Sequence, residues 1–180
     1  MVTTDKPGVS EITFRKAVPE DAGKLCEYFD GLSLETKHRF GPHSFDFETL
    51  DKLLNDTTAH ILYVATDKST TEIIGYCVVR KGYLEHDSPR LSSFGLTLDH
   101  QTDCTLAPSL ADRFQHLGIG RSFHQYVSEY LKAQSYKRII LWGGVQASNH
   151  YAVRFYERLG YQHIGEFEYY GMNFDMVLNL

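Results

Sequence analysis

Apolar positions along the chain recur with two different spacings, and each change of spacing marks a change of element. Glu11 to Ala17 reads as a first strand, after which Pro19-Glu20-Asp21 supplies helix-start chemistry. Ala22, Leu25, Cys26 and Phe29 fall at i, i+3, i+4 and i+7, one face of a helix that Gly31 ends. Leu32 to Phe40 reads as a short helix capped by Ser33, and Phe47 to Leu54 as another turn or two capped by Asp46. His60 to Thr66 and Ile73 to Lys81 are rich in β-branched and aromatic residues. Joined by Asp67-Lys68-Ser69-Thr70-Thr71-Glu72, they read as an antiparallel hairpin of central strands. Gly82 to Asp103 is longer than such a series needs and reads as an insertion with its own strand, Leu91 to Leu98, after the breakers Ser88-Pro89.

Cys104 to Ala111 reads as the next strand. Its internal Pro108 donates no ladder hydrogen bond, so a bulge or an unpaired edge is expected there. Arg121 to Gln134 reads as a helix, with Phe123, Tyr126, Val127, Tyr130 and Leu131 on one apolar face. Arg138 to Trp142 is a buried strand broken by Gly143-Gly144. Asn149 or Ser148 then caps a helix on which Ala152, Phe155, Tyr156 and Leu159 share a face, with Gly160 as its stop. Tyr161 to Tyr170 and Asn173 to Leu180 close the chain as an antiparallel pair around Gly171-Met172. Strands and helices mixed in this way define an α/β chain.

Composition narrows the class. A length of 180 residues suits one domain, expected over 11–180, behind a polar tail, Met1 to Ser10, that is expected to be disordered. That tail lacks the apolar core of a signal peptide, and no apolar run approaches a membrane span. Three widely spaced cysteines, Cys26, Cys77 and Cys104, argue against a disulfide framework and offer no metal-ligand spacing. A reduced, cytoplasmic protein is the simplest expectation. The net charge of −5 gives no basic field for nucleic acid.

The candidate chemistry centres on Gln115-His116-Leu117-Gly118-Ile119-Gly120-Arg121-Ser122, which lies between a strand and a helix. A glycine pair there permits a tight turn and leaves N–H groups at a helix N-terminus, a ready site for phosphate. A dinucleotide fingerprint would need a third glycine where Phe123 stands, and a nucleotide-triphosphate loop would need Lys in place of Arg121. Gln115, Gly118 and Gly120 do resemble the Gln-x-x-Gly-x-Gly signature of the GNAT superfamily of N-acetyltransferases. The stretch Asn149 to Tyr161 resembles that family's other hallmark, with Asn149, Ala152, Phe155, Tyr156, Gly160 and Tyr161 at the marked positions.

The resemblance, over residues 11 to 180, implies a mixed, mostly antiparallel central sheet flanked by helices, with acetyl-coenzyme A as cosubstrate. It implies that the amides of Gln115, His116, Leu117, Gly118, Ile119, Gly120, Arg121 and Ser122 hold the pyrophosphate. It further implies that the backbone of Leu110 and Ala111, on a strand splayed from its neighbour, meets the pantetheine arm and the thioester carbonyl. Asn149, Ala152, Phe155 and Tyr156 complete the implied coenzyme site; Asn149 is equally a helix cap, and Tyr156 matches the family's frequent proton donor. A phenol near pKa ~10 protonating a thiolate whose conjugate acid is near ~8.5 is uphill by only about 2 kcal/mol. In the family the region from Leu32 to Leu54 lies over the acceptor cleft, so Arg39, Phe40, His43 and Phe45 either meet substrate or pack locally.

The general base is not legible. Family members often use a carboxylate on the strand before the loop, or a water chain, and this strand has only Cys104, Thr105 and Ser109. Asp103, Glu85 and His100 are candidates, Asp112 follows the strand, and an acyl relay through Cys104 is conceivable. The expected activity is direct acetyl transfer to a primary amine, small-molecule or peptide, in a ternary complex. The rival is a non-catalytic acyl-coenzyme A binding module. Neither nucleic acid nor membrane is an expected partner, no metal is expected, and a homodimer is left open.

Overall fold

The computed structural model describes residues 11–180, so the expected tail, Met1 to Ser10, lies outside the described residues. The strands are β1 (Ile12–Lys16), β2 (His60–Asp67), β3 (Ile73–Lys81), β4 (Asp103–Leu110), β5 (Arg138–Leu141), β6 (Val145–Gln146), β7 (Gln162–Glu168) and β8 (Met172–Asn179). The helices are α1 (Ala22–Asp30), α2 (Leu34–Arg39), α3 (Phe47–Asn55), α4 (Ser88–Ser93), α5 (Ile119–Ala133) and α6 (His150–Arg158). The strands form one eight-stranded sheet in the order β1-β2-β3-β4-β5-β8-β6, with β7 also paired to β8. β4 and β5 run parallel, whereas β1 with β2 and β8 with each of its partners run antiparallel. This is the mixed, mostly antiparallel sheet with flanking helices that the sequence leads one to expect. Its contacts divide the chain into two compact units, Met1–Val78 with Pro108–Val127, and Val79–Ala107 with Ser128–Leu180.

In the first unit Gly75 explains how α5 reaches the sheet. A Cβ on Gly75 would lie 3.1 Å from Ala65 Cβ, 3.1 Å from Leu110 Cδ1 and 3.5 Å from Phe123. The missing side chain therefore admits Phe123 of α5, whose ring also stacks on Phe14 of β1 at 5.4 Å. Tyr76, the next residue, points to the opposite face, where its ring meets Phe29 of α1 and Phe40. α1 is tied down at its start by the buried Asp21, whose carboxylate accepts from Nη1 (2.7 Å) and Nη2 (2.8 Å) of Arg15 and from the Val18 N–H (2.9 Å). Burial pushes the Asp21 pKa up, but the Arg15 and Val18 hydrogen bonds outweigh it and leave it below the usual carboxylate range. Ser33 and Asp46 cap α2 and α3 as expected, accepting from the N–H groups of Thr36 and Thr49.

The second unit corrects one expectation. Leu91 to Leu98 is not a strand: Ser88–Ser93 is helical, with Pro89 in its first turn. Proline breaks a helix interior but fits the first turn, where its missing N–H would have had no intrahelical acceptor. Ser88-Pro89 is thus a start signal rather than a breaker. Leu91 buries against Ile140 and Val177, and Leu96 and Leu98 pack on the same cluster, so the apolar run serves helix and following loop alike. Arg90 of α4 joins this helix to β8 by an ion pair to the buried Asp175 (2.7 Å) and a second to Asp87 (2.8 Å). Among the described residues no helix is long and apolar enough to cross a membrane.

Candidate functional site

The end of β4 owes its properties to strand parity. Ala111 N–H donates to Ile74 O (2.9 Å), and Gly82 N–H at the far end of β3 donates to Asp103 O (2.9 Å), in the same antiparallel register. Ile74 and Ala111 are therefore a hydrogen-bonded pair, and the neighbouring pair Gly75 and Leu110 is not, so Leu110 turns its own N–H and C=O away from β3. Pro108 lies opposite Cys77 with the same parity. Its missing N–H removes nothing from the β3 ladder, and the unbroken register leaves no inserted residue, so an edge rather than a bulge accommodates it. Registered pairing of β4 with β5 spans Asp103 to Leu106. Of the two amides expected to face a thioester, Ala111 has its N–H committed to Ile74, which leaves Leu110.

The loop that follows is built by its own polar groups. His116 (φ 62°) and Gly118 (φ 84°) are left-handed, whereas Gly120 is not, because α5 begins at Ile119 rather than at Arg121. The Ser122 N–H donates to Gly118 O (3.3 Å), so the preceding amides of Ile119, Gly120 and Arg121 lack intrahelical acceptors. Gln115 has a role that motif matching did not reveal: its side-chain amide donates to Leu110 O (3.1 Å) and folds the loop back on the strand end. Asp112, a leftover acid in the sequence, is a strut. Its carboxylate accepts from Ser33 N–H (3.0 Å), Ser33 Oγ (2.7 Å) and Thr36 Oγ1 (2.7 Å), fastening the start of α2 to the loop. His116, Leu117, Gly118 and Arg121 are exposed, and Ile119 is buried.

Beside the same strand end, Ser109 Oγ hydrogen-bonds the buried Tyr28 hydroxyl (2.9 Å). The residues expected either to meet substrate or to pack locally are engaged locally here. Phe45 stacks on Phe29 at 4.4 Å, Phe40 is buried, and Arg39 pairs with Glu35 (2.8 Å). His43 Nδ1 contacts Ser44 O (2.7 Å) and its Nε2 contacts Tyr76 OH (3.0 Å). Burial lowers the His43 pKa, so the ring is neutral, with Nδ1–H donating and Nε2 accepting the phenol proton.

In the second unit Asn149 caps α6, its Oδ1 accepting the Ala152 N–H at 3.2 Å. Of the two residues at the foot of the second motif, Tyr156 is the buried one and Phe155 only half-buried. The Tyr156 ring meets Phe155 at 5.3 Å and Tyr161 at 5.1 Å, both edge-on. The candidate bases are otherwise occupied. Asp103, buried, takes Arg138 Nε (2.9 Å) and Nη2 (2.7 Å) together with the Asp99 N–H (2.8 Å). His100 Nε2 contacts Glu85 (2.8 Å), and its ring stacks on Tyr83 at 3.7 Å. Cys104 is buried, its thiol pushed far up by desolvation, so a thiolate relay has no support. Among the described residues no group of three or more His, Cys, Asp or Glu could hold a metal ion.

This geometry has counterparts. The model of the acetyltransferase (GNAT) family matches residues 27–161, so the chain belongs to that family and is an acetyltransferase. The GNAT domain of S. lividans PAT is 16% identical with a TM-score of 0.75, over 95% of this chain and 92% of that one. The ribosomal-protein-S5-alanine acetyltransferase from Vibrio fischeri is 17% identical with a TM-score of 0.72, over 99% and 97%. A spermidine N-acetyltransferase chimera from Vibrio cholerae and hSSAT is 18% identical with a TM-score of 0.68, over 93% and 95%. At these identities the likeness is one of fold. No curated protein sequence matches the chain.

Proposed function

We propose that the protein transfers the acetyl group of acetyl-coenzyme A directly to a primary amine. The observation that carries this reading is the end of β4, where Leu110 turns its N–H outward and the next residues lead into a loop whose helix presents the amides of Ile119, Gly120 and Arg121. Such amides suit the coenzyme's pyrophosphate, and an outward N–H beside them suits the thioester oxygen as negative charge develops on it. The amine lone pair attacks the carbonyl carbon, the C–N bond forms, the C–S bond breaks, and the thiolate takes the Tyr156 phenol proton. With Asp103 and Asp112 committed to structural partners, the proton lost by the amine passes to water.

The same commitment favours a second reading, a module that binds acyl-coenzyme A without turnover. Coenzyme A release with a mixed library of amines separates the two. Tyr156→Phe then tests the acid: loss of a general acid typically costs about 10²–10⁴-fold, so turnover on an accepted amine should fall by at least about tenfold, while coenzyme affinity stays unchanged. Equal turnover in mutant and parent returns Tyr156 to a packing role.

A further inference from the structure

Two buried phenols of the first unit lie on the side of β3 and β4 turned away from α5. Tyr76 of β3 hydrogen-bonds His43 Nε2 (3.0 Å), and Tyr28 of α1 hydrogen-bonds Ser109 Oγ (2.9 Å). Ser109 stands on β4 directly across from Tyr76, in the register that the Ala111 to Ile74 hydrogen bond fixes. The two partners of these phenols end up differently. His43 is spent, because its Nδ1–H donates to Ser44 O (2.7 Å) while Nε2 accepts. Ser109 is not. Burial pushes the Tyr28 phenol up, so it keeps its proton, and its hydrogen-bond partner among the described residues is Ser109 Oγ. Burying that O–H without an acceptor would cost its hydration, so Tyr28 donates and Ser109 accepts. A hydroxyl has one proton and two lone pairs, and the half-buried Ser109 therefore keeps a lone pair for a ligand.

Ser109 immediately precedes Leu110. Four covalent bonds separate its Oγ from the Leu110 nitrogen, so in every rotamer the hydroxyl lies within about 5 Å of the amide proposed to meet the thioester oxygen. The two faces of this strand end are not equivalent. On the α5 face the Leu110 side chain and Phe123 close over Gly75, where a Cβ would lie 3.1 Å from Leu110 Cδ1 and 3.5 Å from Phe123. The opposite face carries Ser109. Attack needs the amine nitrogen about 3–3.5 Å from the carbonyl carbon, and an amine arriving over the Ser109 face reaches that distance with Oγ in hydrogen-bond range. We propose that Ser109 is a catalytic residue that accepts a hydrogen bond from one N–H of the attacking amine and so aims its lone pair at the thioester carbon, with Tyr28 as the positioning residue that holds the serine. This rests on the acetyl-transfer reading and adds to it. The second N–H of a primary amine faces solvent and loses its proton to water as the C–N bond forms and the thiolate leaves.

The test compares the parent with Ser109→Ala, Ser109→Thr, Tyr28→Phe and the double variant Tyr28→Phe/Ser109→Ala on one accepted amine from a mixed library. Ser109→Ala should lower kcat/KM for the amine at least about tenfold, mainly in kcat, with acetyl-coenzyme A affinity within about twofold of the parent. Ser109→Thr keeps the hydroxyl on a residue suited to a strand and should recover most of that loss. Ser109→Ala also strands the buried phenol, so a defect of folding would mimic one of catalysis. The double variant removes both partners together and should melt near the parent temperature. Its kcat/KM should equal that of Ser109→Ala, because Tyr28 acts only through the serine, and Tyr28→Phe alone should fall between that value and the parent. A double variant within about threefold of the parent would overturn the proposal. So would Ser109→Thr no more active than Ser109→Ala, and so would a loss confined to coenzyme affinity. If the parent turns over no amine while acetyl-coenzyme A still binds, the acetyl-transfer reading fails and takes the role of Ser109 with it. Parent turnover that the variants leave intact removes the role of Ser109 alone.

Discussion

His124 makes the acid stability of the protein a quantitative test of the packing of α5. It sits on that helix four residues after Gly120 and is buried, and desolvation lowers its pKa from 6.5 to about 4. Above pH 6.5 the ring is neutral in folded and unfolded chains alike, so it contributes no pH dependence. As the pH falls below 6.5 the unfolded chain takes up a proton that the folded one refuses, so stability falls until the folded ring also titrates near 4. The depression of about 2.5 units corresponds to about 3 kcal/mol at about 1.36 kcal/mol per unit, most of it expressed by pH ~4.5. Urea unfolding of parent and His124→Gln at pH 7.5 and 4.5 isolates this residue. His43 is depressed in the same direction and remains in both proteins, while the lowered Asp21 loses its contribution at lower pH. The parent should lose about 2–3 kcal/mol more than the variant between the two pH values. An identical loss in both would show that the His124 ring is hydrated in the native state and that the packing described for α5 is wrong.

Two further outcomes are expected. Asp103→Asn leaves the half-buried Arg138 beside a neutral amide and should cost up to about 3–5 kcal/mol by urea unfolding; a loss below about 1 kcal/mol would mean that the pair is hydrated. Gly120→Val places a β-branched residue in the first turn of α5 at a right-handed position, so far-UV dichroism should stay native, while isothermal titration should find acetyl-coenzyme A bound at least tenfold more weakly. Binding retained within twofold would reduce the loop to a structural turn.

Most elements were legible because their signals were local. Ser33, Asp46 and Asn149 announce helix starts, and β3 occupies the span its β-branched run indicates. What escaped reading was set by partners distant in sequence. Nothing around Asp112 says that its carboxylate will be claimed by Ser33 and Thr36, about eighty residues earlier in the chain, and nothing around Asp103 names Arg138. Ser88-Pro89 failed for a different reason. The same dipeptide stops one helix and starts another, and the choice depends on whether the residues after it find a core to bury Leu91. Tyr156 and Phe155 are adjacent on α6, so a face drawn at helical spacing includes both, and only packing against Tyr161 decides which is buried more deeply.

Pro108 shows how a feature that looks like a defect in the sequence fits the sheet once register is known. Because residues along a strand alternate the direction of their N–H groups, a proline removes a hydrogen bond from one neighbouring strand only. Opposite Cys77, Pro108 spares β3, and it lies beyond the Leu106 at which registered pairing with β5 ends. A proline there also discourages another strand from pairing along that edge. Leu110, two residues on, shares its parity, so the edge that Pro108 keeps clear is the one along which the Leu110 N–H points. Moving the proline one residue either way would place it opposite Tyr76 or Val78, at hydrogen-bonded pairs. It would then break the ladder to β3 and return to the edge a donor that another strand could take up. The position of the proline, rather than its presence, is what spares the ladder to β3 while keeping clear the edge along which the proposed Leu110 contact would lie.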